Sequence, residues 1–252
     1  MSAWVMGRRS RPDLLLTRSH YDEHTMARCA GASGWTRHLV YRAERTRTTW
    51  KLRVGVLVLL VAVLLLSRAW WTAAIGRSLV CSGSLAASDA ILIENFESRY
   101  LVYERARNLR RAGLASRVLV PISIDPSTQE PNLVSLGTAE LMARLSRLGE
   151  YEVVPVREVE PITLNATRDV QRFLEREHLH SLIVVTPLFR SRRSMLVYES
   201  VLRDDGIAVR CQPADGSRGV ETWSRSWHGI QEVVEQWLKL QYYRLYVLPR
   251  YA

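Results

Sequence analysis

The chain has 252 residues, 47% of them hydrophobic, a formal charge of +10 and a pI near 10.0. The basic excess does not point to a nucleic-acid-binding body, because its placement is uneven: residues 1–53 hold eleven Arg/Lys against four Asp/Glu, leaving only +3 for the remaining 199 residues. Lys51 and Lys239 are the only lysines, so 33 of 35 basic residues are arginine, a bias that reads as a GC-rich genome and makes any single arginine weak testimony.

The first 48 residues are rich in Arg, Ser, Thr and Gly with no sustained periodicity, and are expected to be a disordered basic arm. Then comes "VGVLVLLVAVLLL", Val54 to Leu66, thirteen uninterrupted apolar residues. That is too short to cross a bilayer alone, but Trp50 precedes it and Trp70 and Trp71 follow. Trp50 to Trp70 would cover roughly 30 Å of helix, the thickness of a hydrocarbon core. Residues 50–72 are therefore expected to be a transmembrane signal anchor. Six basic residues from Arg37 to Arg53 precede the span, whereas Arg68 and Arg77 follow it closely. The positive-inside rule then puts the N-terminus in the cytoplasm and the later chain outside a plasma membrane, with the bilayer itself as a partner.

The three cysteines, Cys29, Cys81 and Cys211, show no C-x-x-C spacing, and the six histidines form no H-E-x-x-H array, so no metal or redox site is expected, and the sequence names no cofactor. If the outside is oxidising, Cys81 and Cys211 are available to pair, though the sequence leaves their distance open.

From residue 89 short apolar runs alternate with amphipathic segments. Strands are expected at 90–94, 117–123, 151–156, 181–186 and 206–212, with Pro155 marking a strand end or a sheet edge. Helices are expected at 98–113, 133–148, 165–178, 189–203 and 227–245. Continuous apolar strands between amphipathic helices predict a three-layer, Rossmann-like α/β domain over 87–247, with a mainly parallel five-stranded sheet after one transmembrane helix.

Such sheets bind ligands beyond the carboxyl ends of their strands. The residues there are Glu94 and Asn95, then Ser123 and Asp125. "EPITLNAT" contributes Glu160, Thr163, Asn165 and Thr167, and Thr186 precedes the cluster Arg190, Arg192 and Arg193. Thr163 or Asn165 could equally serve as an N-cap. Three arginines in the first turn of a helix oppose its macrodipole, at a cost of roughly 0.3–1 kcal/mol per charge, which favours a bound anion only mildly over solvated side chains.

Several of these stretches, in this order, resemble the YdcF-like (SanA/ElyC-like) family of bacterial envelope proteins over roughly residues 87–247. "SDAILI" resembles its opening strand and "ERARNLRRAGLASRVLV" its first helix and second strand. "EPITLNAT" resembles the family pattern at Glu160, Thr163 and Asn165. "VVTPLFRSRR" does so at Thr186 and Arg193, and "EQWLKLQYY" at Glu235, Lys239 and Tyr242. The resemblance implies a membrane-anchored envelope protein. Its outer domain would bind an anionic cell-wall precursor or an envelope partner through Asn95, Ser123, Thr163, Asn165, Thr186, Arg190 and Arg193. The alternative it carries is a hydrolase or transferase on a phosphate-bearing or sugar-linked substrate, with Glu94 or Glu160 as acid or base. The chain departs from the family in four places. Glu94-Asn95-Phe96 and Pro121-Ile122-Ser123 stand where glycine-rich turns are usual, Arg190 replaces a histidine, and Ala166 replaces a threonine. Without those glycines a backbone phosphate cradle is not expected. An arginine cannot act as a general base near neutral pH.

Overall fold

The computed structural model describes residues 49–251 except 97–98, 126–127, 129 and 217. The expected basic arm, 1–48, lies outside the described residues. Five strands form one parallel sheet: β1 (Ala90–Ile93), β2 (Arg117–Ile124), β3 (Glu152–Arg157), β4 (Ser181–Pro187) and β5 (Ala208–Ala214). Their order is β3-β2-β1-β4-β5, so the chain reverses its direction of travel across the sheet between β1 and β4. The five parallel strands are what the alternating pattern predicts; their order across the sheet is given by the structure alone.

Before the sheet come α1 (Trp50–Leu66) and α2 (Arg68–Ser78). Within and after it come α3 (Tyr100–Arg111), α4 (Leu133–Ser146), α5 (Ile162–Arg176), α6 (Ser191–Leu202) and α7 (Trp227–Tyr242). The sheet is covered on both faces, as its all-apolar strands require. Ile91, Ile93, Val118, Val120, Ile183 and Val185 pack with Val102, Ala106 and Leu109 of α3 and with Ala139 and Ala143 of α4. The alternate residues Leu92, Leu119, Val154, Leu182 and Val184 face Val170, Phe173 and Leu174 of α5 and Tyr198 and Leu202 of α6. The period of two along each strand sorts the two sets onto opposite faces.

Punctuation in the sequence has local reasons. Gly113 and Gly149 take positive φ, +73° and +84°, just past α3 and α4, where a Cβ would be strained. Pro155 lies inside β3, but β3 is an edge strand and its free side needs no donor there. Pro121 is tolerated in β2 because the β1 ladder has already ended at the Leu92–Leu119 pair. On the far side of the sheet, Asp89 Oδ2 accepts from the backbone N–H groups of His180 and Ser181 and from the Ser181 hydroxyl, each at 2.8 Å, tying the starts of β1 and β4 together.

The expected 50–72 span falls on two helices, not one. The helix breaks at Ser67 and resumes as α2 with a bend of 59°. No single helix among the described residues is long and apolar enough to cross a membrane, and only the bent pair together meets that criterion of length and composition. α1 has no buried residue at all. α2, by contrast, belongs to the packed body: Thr72, Ala73 and Gly76 are buried. Trp223 Nε1 donates to the Thr72 carbonyl at 3.0 Å. The ordered body therefore starts well before residue 87.

Cys81 and Cys211 form a disulfide with a Cα–Cα distance of 6.3 Å. It joins the segment entering β1 to the middle of β5.

Candidate cleft at the carboxyl ends of the strands

A cleft of about 850 Å³ opens at the carboxyl edge of β1, β2 and β3, bounded by α4, α5, α6 and α7. Its position is the one the parallel topology dictates. Asn95 and Phe96 follow β1, and Pro121 and Ser123 come from β2. Tyr103 donates its hydroxyl to Asn95 Oδ1 at 2.6 Å, so α3 orients the amide from below. Burial pushes the Tyr103 phenol well above its ordinary range, which keeps that donor protonated.

The basic side of the cleft is made by Arg190, Arg193 and Lys239. A single 3₁₀ turn, Leu188–Arg190, leads from β4 into α6 and turns both arginines inward, where they are only 6% and 5% exposed. Arg192, between them, is exposed. Arg193 donates to Thr163 Oγ1 at 3.0 Å and to Gln236 Oε1 at 3.3 Å, and its guanidinium lies 5.3 Å from the centre of the Tyr243 ring. It thereby ties α5, α6 and the end of α7 into one wall. Tyr243 also accepts the Thr163 backbone N–H at 3.3 Å. Lys239 pairs with Glu235 at 2.5 Å. That bond holds the Glu235 carboxyl below its usual range, with the charges of Lys239, Arg190 and Arg193 adding to the effect. Glu158 and Glu160, which follow β3, also line the cleft.

The expected site residues divide into two groups. Asn95, Ser123, Glu160, Thr163, Arg190 and Arg193 line the cleft together. Glu94, Asn165 and Thr186 do not. Glu94 is fully buried beneath it, and its Oε2 accepts from the hydroxyls of Thr186 at 2.5 Å and Ser194 at 2.6 Å. Thr186 is likewise fully buried. Asn165 turns away and donates to the Val159 carbonyl at 3.0 Å, bracing the loop that carries Glu160. Neither Thr163 nor Asn165 caps α5, because the helix begins earlier, with Pro161 in the N-cap position and no side-chain cap bond. Asp125 sits in the loop after β2, and its backbone N–H bonds the Glu130 carbonyl at 2.8 Å.

Sequence reasoning did not assign the wall supplied by α4. Asn132 caps that helix, its Oδ1 accepting from Val134 at 2.9 Å and Ser135 at 3.2 Å, and all three residues border the cleft. Glu158, Lys239 and Tyr242 were also not assigned a site role. Glu158 sits directly after β3, whereas Lys239 and Tyr242, matched by the family pattern but without a role, reach the cleft only when α7 folds back over the sheet edge. The chain thus builds a polar cleft lined by three cations, Arg190, Arg193 and Lys239, and two carboxylates, Glu158 and Glu160. Among the described residues no cluster of three or more His, Cys, Asp or Glu is placed to hold a metal ion. Neither a protein-family model nor a curated protein nor a solved structure matches this chain.

Proposed function

We propose that the protein is a membrane-anchored, YdcF-like envelope protein whose outer α/β domain binds an anionic cell-envelope precursor in the cleft. One observation carries the reading: two buried arginines, Arg190 at the N-cap of α6 and Arg193 in its first turn, enter the cleft with Lys239 in the same lining. Positive charge at a helix N-terminus is disfavoured and guanidinium burial is costly, so both arginines gain from an anionic group between them. Arginine matches carboxylate and phosphate geometry with paired N–H donors.

The membrane anchor draws support from α1, whose seventeen residues are apolar after Arg53 and bury nothing against the protein. The orientation with the domain outside draws support from the Cys81–Cys211 disulfide, which suits an oxidising compartment. The hydrolase or transferase alternative is less well served. It offered Glu94 or Glu160 as acid or base; Glu94 is held by Thr186 and Ser194 below the cleft, which leaves Glu160 alone in the lining.

The test is titration of the full chain in micelles with a lipid-linked, phosphate-bearing wall precursor. Loss of one charge-assisted pair costs about 1.5–3 kcal/mol, so Arg190→Ala should weaken binding about tenfold or more. Arg193→Ala should do the same, with near-ultraviolet circular dichroism used to check that the wall it braces persists. Unchanged affinity in both variants would rule out an anion site at this end of α6.

A further inference from the structure

α7 carries two apolar faces, and only one is used by the domain. Its inner face repeats at helical spacing: Gly229, Val233, Gln236 and Leu240 are buried, continued by Tyr243 and Val247 in the π-turn that follows. An ordinary surface helix would be polar on the opposite side. Instead Trp227, Val234 and Leu238 stand there at spacings of seven and four, 71%, 50% and 56% exposed, with Leu245 beyond them at 72%. Trp237, Tyr242 and Tyr246 widen the stripe on its flanks, each more than 40% exposed. Among these described residues, nothing in the domain covers that face.

From its first exposed tryptophan to Leu245 the stripe runs roughly 27 Å along the helix. The segment 225–250 also carries four basic residues against two acidic ones. Both carboxylates are already paired, Glu232 with Arg99 at 2.7 Å and Glu235 with Lys239 at 2.5 Å. Aromatic rings, aliphatic side chains and a positive balance on one helix face are the composition of an element lying in a membrane interface.

The start of α7 is also tied to the chain leaving α1. Arg68, two residues after α1 ends, reaches the Ser224 carbonyl at 3.5 Å. Thr72 accepts from Trp223, and Gly76 approaches the Val220 backbone so closely that a Cβ there would lie 2.7 Å from the Val220 oxygen. Ser226, the N-cap of α7, comes directly after this turn. Only five residues, 67–71, separate Leu66 from Thr72, a path of at most about 9 Å at helical rise. A domain tethered so tightly cannot stand clear of the surface its anchor enters.

We infer that the outer face of α7 lies on the lipid bilayer as a second, interfacial membrane contact, holding the domain against the surface with the Lys239–Tyr242 wall of the cleft beside it. This inference rests on the reading of α1 as the anchor. The experiment reconstitutes the full chain in vesicles of phosphatidylethanolamine and phosphatidylglycerol containing a diazirine-bearing phospholipid, and maps adducts by peptide after illumination. Adducts are expected in α1 and in the peptides from Trp227 to Tyr246, with none in α3 or α4. A Val234→Asp, Leu238→Asp, Leu245→Asp variant changes only exposed positions. It should lose the α7 adducts and keep those in α1. Adducts in α1 without any in α7 would overturn the inference and leave the anchor standing. No adducts in α1 would overturn the anchor reading and the inference with it. An α7 that stays unlabelled while cross-linking joins two copies through it would assign the face to a second copy of the chain, and again refute the bilayer contact.

Discussion

Replacing Cys81 and Cys211 by serine removes the one covalent tie in the described body, and the structure sets the size of the effect. The bridge spans 130 residues and encloses β1 to β4 with the helices between them. In the chain-entropy treatment, a loop of that length restricts the unfolded chain by about 5 kcal/mol. The folded state has little to lose, because the segment around Cys81 is held independently. Cys81 donates its backbone N–H to Ser191 Oγ at 3.0 Å, and Arg192 donates its own to the Leu79 carbonyl at 3.0 Å. The cost should therefore fall on the unfolded ensemble. Urea titration of the full chain in micelles, followed by near-ultraviolet circular dichroism, should show a stability loss of about 3–5 kcal/mol. The native spectrum should be unchanged and the urea dependence steeper, since the freed chain exposes more surface on unfolding. A loss below about 1 kcal/mol would refute the argument. So would a changed native spectrum, which would place the effect in the folded state.

Two further outcomes follow from packing and charge. Helix propensity alone would make Gly76→Ala stabilising by about 1 kcal/mol. Its new Cβ, however, would meet the Val220 carbonyl oxygen at 2.7 Å, so a net loss of about 1–3 kcal/mol in the same titration is expected, and a net gain would show that α2 is not seated as described. The backbone N–H of His180, then the Ser181 hydroxyl, hold the Asp89 carboxyl below its ordinary value, and the Arg117 guanidinium does the same for Glu152. Because both folded-state values lie below the unfolded ones, their stabilisation is complete above about pH 4–5 and disappears as pH falls through the folded values. Urea midpoints should be flat from pH 7 to 5 and drop toward pH 3, and Asp89→Asn should flatten that drop. An unchanged acid slope in the variant would remove Asp89 from the account.

The order and approximate limits of strands and helices were legible because the apolar runs are short, continuous and separated by amphipathic segments of helical period. Parallel pairing followed from the same pattern, since strands buried on both faces need crossover helices and hence parallel neighbours, but the strand order did not. Six expected site residues reached the cleft because each sits at or shortly after the carboxyl end of a strand or in the first turn of a helix, where the fold leaves little choice of direction. Glu94 and Thr186 are also at strand ends, yet they went beneath the cleft. The difference is a mutual hydrogen bond with Ser194, a residue one hundred positions after Glu94, and no local pattern announces it.

What the sequence determined by itself was local and periodic: the apolar helix after residue 50, the alternation that makes a parallel sheet, and the two glycines that end α3 and α4. What only the tertiary structure decided depended on contacts between distant segments. The break at Ser67 separates a helix that buries nothing from one fixed to Trp223. Cys81 meets Cys211 across 130 residues. Lys239 and Tyr242 become a cleft wall only when α7 folds back over the sheet edge. Hydrophobic period records which face of an element is buried, but not what covers it. On α7 it records two such faces, and the domain covers one.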